Sequence, residues 1–95
     1  MKIPKALRIG GCVYDVIFDS DRQKNSGNFS PASCNLRNHK IWIDKNQSPS
    51  AQERSLLHEI LEIVDYNGGL DLEHQKIVVL ESMLYAALKD NGLLK

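Results

Sequence analysis

Three residues in the stretch Leu56 to His74, LLHEILEIVDYNGGLDLEH, have the side-chain types of a metal site: His58, Glu62 and His74. On a helix of roughly 100° per residue, His58 and Glu62 lie about 40° apart on neighbouring turns, so both can point at one object. His74 follows a glycine turn and projects from the first turn of the next apolar-periodic segment. It lies about 60° from Ile77 on the inward side, where a tight antiparallel helix pair brings its imidazole towards the other two. Two imidazoles and one carboxylate, with a fourth position open to water, form a ligand set for catalytic zinc. Glu59, beside the first ligand, is then free to act as a general base on that water. Glu81, seven residues after His74 and on nearly the same face, is a candidate to hold an imidazole from behind or to serve as an alternative ligand. Asp65 stands in the same relation to His58, although its place in the last turn also suits a solvent-facing carboxylate.

An H-E-x-x-E string is also an ordinary product of amphipathic helices, because glutamate is a common surface helix former. A solvated charged face is therefore the competing reading of Glu59 and Glu62, and a capping or packing role that of His74. Joint placement favours the metal reading: three suitable residues on two helices joined by a short turn.

The elements that position these residues are legible from the hydrophobic period. In the first half, ALRIGG and CVYDVIF read as strands joined at Gly10-Gly11, the signature of a hairpin. Cys12, Tyr14, Val16 and Phe18 fall on one face of the second strand, and Val13, Asp15 and Ile17 on the other. KIWID at 40–44 reads as a further strand, with a short strand at Ala32 to Leu36 pairing with it across Arg37-Asn38-His39. The rest of DSDRQKNSGNFSPASCNLRNH, broken by Gly27 and Pro31, reads as loop. His39 is expected to be exposed, and Trp42 and Tyr85 to be core aromatics.

After Pro49 the period changes. Ser48 with proline at the first helical position, or Ser50 with Glu53 in a capping box, starts a helix. Leu56, Leu57, Ile60, Leu61 and Val64 form its apolar stripe, and Asn67-Gly68-Gly69 stops it. Asp71 is the expected N-cap of a second helix carrying Ile77, Leu80, Leu84 and Leu88, ended by Asn91-Gly92. The expected fold is α+β: a small antiparallel sheet over residues about 5–44, packed against a two-helix hairpin near 49–66 and 71–90.

Ninety-five residues leave room for one domain, 1–95, with a modest core. Twelve basic and twelve acidic side chains cancel, which disfavours electrostatic binding to nucleic acid or to an acidic membrane. No apolar run has signal-peptide or transmembrane length, so the expected location is the cytoplasm. Cys12 and Cys34 are far apart and lack a CxxC spacing, and both read as ordinary buried thiols.

A strand of the I-x-I-D type, then a polar loop, QERSLLHEILEIV, a glycine turn and a helix ending LYAALKDN together resemble small zincin-like metallopeptidases of phages and mobile elements, in the style of ImmA/IrrE-type domains. The resemblance spans roughly residues 40 to 92. Such proteins show HExxH with a distal glutamate near the start of the following helix. Anchored on LLHE and on LYxxLxDN, the resemblance puts the second histidine position on Glu62 and the distal glutamate position on His74. The departure is thus reciprocal and leaves the ligand inventory unchanged. It implies a minimal zinc-dependent peptidase or hydrolase acting on protein or peptide. The alternative is a catalytically inactive zincin-like module that binds a host or phage protein.

Overall fold

The computed structural model describes residues 2–19 and 32–94. The loop expected over residues 20–31, including Gly27 and Pro31, lies outside the described residues. Four strands, β1 (Ala6–Ile9), β2 (Cys12–Phe18), β3 (Ala32–Asn35) and β4 (Lys40–Ile43), precede two helices, α1 (Pro49–Gly68) and α2 (His74–Asp90). The class is α+β, as expected.

Gly10 and Gly11 both take positive φ, 58° and 84°, so β1 and β2 close through a two-residue turn that pairs Ile9 with Cys12. Gly10 also passes so close to α1 that a Cβ there would sit 3.2 Å from Asn67 Nδ2. β3 and β4 pair antiparallel, with Cys34 opposite Ile41. Between them the Asn35 side-chain oxygen accepts from the N–H groups of Arg37 and Asn38. His39 completes the reversal at φ 55°.

The sheet is not antiparallel throughout. Its order is β1-β2-β4-β3, and β2 pairs with β4 in parallel, Val16 beside Ile41 and Phe18 beside Ile43. This register aligns Tyr14, Val16, Ile41 and Ile43 on one face, where Leu56 and Ile63 of α1 cover them. Trp42 alternates onto the other face and is half-buried, which corrects its expected place in the core. His39 is also half-buried, its ring 4.9 Å from that of Tyr14, rather than exposed.

α1 begins at Ser48, whose hydroxyl accepts from the Ala51 N–H, with Pro49 at the first helical position. Of the two starts open to the sequence, the structure uses the first. The helix ends where Gly69 adopts the left-handed conformation at φ 61° and the Leu70 N–H returns to the Asp65 carbonyl. α2 starts later than expected. Asp71 is not its cap: Asp71 itself sits at φ 55°, finishing the chain reversal, and Glu73 takes the N-cap position without a side-chain bond to the helix.

Among the described elements α2 touches α1 and not the sheet. The architecture is therefore sheet, helix, helix in three layers, rather than a sheet with both helices against it. Ile77 is the buried apolar residue of α2. Polar clamps flank it: Lys89 Nζ lies 3.3 Å from Glu53 Oε1, and Arg54 reaches Glu81. No helix of the described residues is long and apolar enough to cross a membrane.

Candidate metal centre

The helix pair brings His58, Glu62 and His74 together. Glu62 Oε1 lies 3.4 Å from His58 Nε2 and 3.5 Å from His74 Nδ1, and the three candidate ligand atoms lie within 4.8 Å of one another. The two imidazole rings meet edge to face at 5.3 Å. Separations of 3.4 and 3.5 Å are long for N–H···O hydrogen bonds, whose usual range is about 2.7–3.2 Å. They match instead the edge of a tetrahedron with metal–ligand bonds of about 2.0–2.1 Å, which is roughly 3.4 Å. The donor set of two nitrogens and one carboxylate therefore fits a zinc ion in chemistry and, on the two edges that meet at Glu62 Oε1, in spacing.

Each ligand has a local cause. His58 and Glu62 share a face because they are one turn apart on α1. His74 reaches them because the left-handed residues Gly69 and Asp71 fold the chain back sharply and leave it at the first position of α2. Asp65 builds that reversal rather than the site. Its carboxylate accepts from the Leu72 N–H at 2.9 Å and its carbonyl from the Leu70 N–H, so its expected reach towards the metal is spent on the turn.

Glu81 takes the supporting position. Its Oε1 lies 3.3 Å from His58 Nδ1, while Arg54 Nε donates to its Oε2 at 3.2 Å. A proton on His58 Nδ1 would face a carboxylate and leave the Nε2 lone pair free for an ion, the arrangement that fixes the tautomer of ligating histidines. Arg54 also donates to the Ser82 hydroxyl at 3.3 Å and covers the Tyr85 ring. The sequence carries a signal for Arg54: it precedes His58 by one helical turn on the same face. Glu81→Ala is accordingly expected to weaken zinc binding 10- to 100-fold while leaving one ion per chain at saturation, read by competition with a chromogenic chelator.

Glu59 points away from that face into the protein and is only 5% exposed. Its Oε2 has no hydrogen-bond partner among the described residues. Burial, helped by the charge of Glu62, pushes its carboxyl up from 4.5 to about 7. The other buried glutamate of α1 behaves in the opposite way. Burial alone would raise Glu53, but the Lys89 ammonium holds it below the usual carboxylate range. A buried carboxylate neutralised by an ammonium, as Glu53 is by Lys89, is structural; a buried carboxylate with a raised pKa one residue from a candidate ligand is the kind of group that active sites keep.

Cys34 comes close to this region because edge strand β3 packs against α1. Burial, with the charges of Glu59 and Glu62 adding to it, pushes its thiol up to about 11. The group therefore stays a protonated thiol at neutral pH, in keeping with a packing role and not with that of a nucleophile.

The chain matches no family model, no curated protein and no solved structure. The site must be read from its own geometry.

Proposed function

We propose that this chain is a minimal zinc-dependent peptidase or related hydrolase of phage or mobile-element type, acting on protein or peptide in the cytoplasm. His58, Glu62 and His74 would hold the ion and Glu59 would move the proton. The observation that carries this reading is the convergence of three candidate ligand atoms from two helices within 4.8 Å, with both histidines at tetrahedral-edge spacing from Glu62 Oε1. The buried Glu59, adjacent to His58 in sequence and with its Oε2 lacking a hydrogen-bond partner among the described residues, supports it.

When bound, the ion supplies Lewis acidity to the scissile carbonyl and to the attacking water. The chain's own residues do the rest. Glu59, adjacent to His58 in sequence and poised near neutrality, would swing from its buried position towards the ion, accept a proton from that water and return it to the leaving amine. Glu81, held in turn by Arg54, keeps the His58 ring in one tautomer and orientation. His74 lies on the open side of the site, its side chain largely exposed, which leaves an approach for an extended substrate.

The test is elemental analysis of the chain purified without added metal or a metal-binding tag, followed by a quenched-fluorescent peptide library at pH 7.5. One zinc per chain and cleavage abolished by chelator are expected. Zinc without cleavage would favour the non-catalytic protein-binding module, and protein that neither retains nor takes up zinc would remove the metal reading altogether.

A further inference from the structure

α2 has two faces of different character. His74, Ile77, Glu81 and Tyr85 lie on one side, in or beside the contacts with α1 described above. At roughly 100° per residue the opposite side carries Lys76, Val79, Leu80, Met83, Ala86, Ala87 and Asp90, centred on Met83. All seven are exposed, Val79 by 56% and Met83 by 68%. At the N-terminal end of this stripe a groove of ≈ 550 Å³ is lined by Leu72, Glu73, Gln75, Lys76, Val79 and Leu80. Beyond the C-terminal end, Leu93 stands 68% exposed after the Gly92 turn.

We propose that this face is a two-fold dimer interface, in which α2 of one copy packs antiparallel against α2 of a second copy with Met83 on the axis. The stripe is self-complementary in that register. Met83 against Met83 sets Val79 opposite Ala87 and Leu80 opposite Ala86, so a large side chain meets a small one at each step. The same operation sets Lys76 opposite Asp90, giving two symmetric ion pairs at the rim where like charges would otherwise repel. It also carries the Leu93–Leu94 segment of each copy to the groove of the other. The chain thus presents an apolar projection and an apolar groove at positions the two-fold relates, which is what an isologous contact requires.

One helix face and one groove from each copy make a small contact, at or below the lower end of specific interfaces, about 1,200 Å², so self-association in the micromolar range is expected. The metal centre lies on the other face of α2 and stays open in the dimer. Charge balance across the axis favours a second copy over an unrelated basic or acidic partner, because the stripe ends in one charge of each sign.

Sedimentation velocity of the full chain over a concentration series tests this. The wild type is expected to move from monomer to dimer. Met83→Glu, which puts two carboxylates on the axis, is expected to raise the dissociation constant at least ~100-fold with an unchanged far-UV spectrum and unchanged zinc uptake. Lys76→Glu and Asp90→Lys are each expected to weaken the dimer about 10-fold, and the double variant to recover to within about 3-fold of wild type. A wild type that stays monomeric, or a dimer indifferent to Met83→Glu, would overturn the proposal. Failure of the double variant to recover would overturn the antiparallel register.

Discussion

Glu59→Gln is expected to make the metal-free protein more stable and the zinc-loaded protein inert. The sign follows from where the proton resides. In the folded chain the Glu59 carboxyl titrates at about 7 instead of 4.5, so between those values the folded state holds a proton that the unfolded state has released. Stability therefore falls as pH rises from about 4.5 to about 7 and levels off above that. The difference corresponds to about 3 kcal/mol at pH 8, at roughly 1.4 kcal/mol for each pH unit. Glutamine preserves the shape without the charge and removes this dependence. Urea unfolding in chelator should show variant and wild type nearly equal at pH 4.5 and the variant ahead by about 3 kcal/mol at pH 8. Peptide hydrolysis by the variant should fall 10²- to 10⁴-fold with zinc content retained, since Glu59 is assigned to proton transfer and not to ligation. Equal pH dependence in the two proteins would mean that the carboxylate finds a partner in solution, and the base assignment would lose its support. A gain in stability at the expense of activity is the usual signature of a functional group kept in an unfavourable place.

His58→Ala and His74→Ala are expected to abolish tight zinc binding to similar degrees, despite the very different exposure of the two rings. Each would remove one of the three proposed ligands, a loss expected to exceed 100-fold in affinity because positioning residues behind a ligand are themselves worth 10- to 100-fold. In the wild type, zinc at a thousand times its dissociation constant should add about 4 kcal/mol to stability, an increment missing from both variants. Titration calorimetry and thermal melts with and without zinc measure both effects. The double exchange Glu62→His with His74→Glu rearranges the donors without changing their number and should still bind one ion. If His74→Ala takes up zinc as tightly as the wild type, the site does not span the two helices and the charged-face reading of α1 prevails.

What the sequence disclosed was what short-range chemistry determines. Ser48-Pro49, Gly10-Gly11 and Gly69 each specify a cap or a turn through backbone preferences of one or two residues, and each is found where it was read. The candidate ligands were legible for the same reason: His58 and Glu62 are one helical turn apart, and His74 is a single reversal away. The parallel pairing of β2 with β4 was not legible, because nothing in CVYDVIF or KIWID encodes the direction of a distant neighbour. Trp42 was misassigned because an apolar strand of four residues does not reveal which alternate set faces inward. Asp71 has the composition of a cap but serves the turn, a role that depends on where Gly69 leaves the chain. Cys34 reaches the neighbourhood of Glu59 through a strand-to-helix contact between distant segments, for which no local pattern exists.

The outermost position of α2 gives the ion a mechanical meaning. A helix held to a single neighbour, with Ile77 as its buried apolar anchor, is the layer that detaches at the lowest free energy. His58 and Glu62 lie on one side of that seam and His74 on the other. A bound cation would therefore act as a rivet through the hairpin, joining the layer most ready to peel away to the one fixed on the sheet. With a cation bound, occupancy of the centre and attachment of the helix would become one equilibrium: whatever prised α2 loose would have to expel the ion, and withdrawing the ion would free α2.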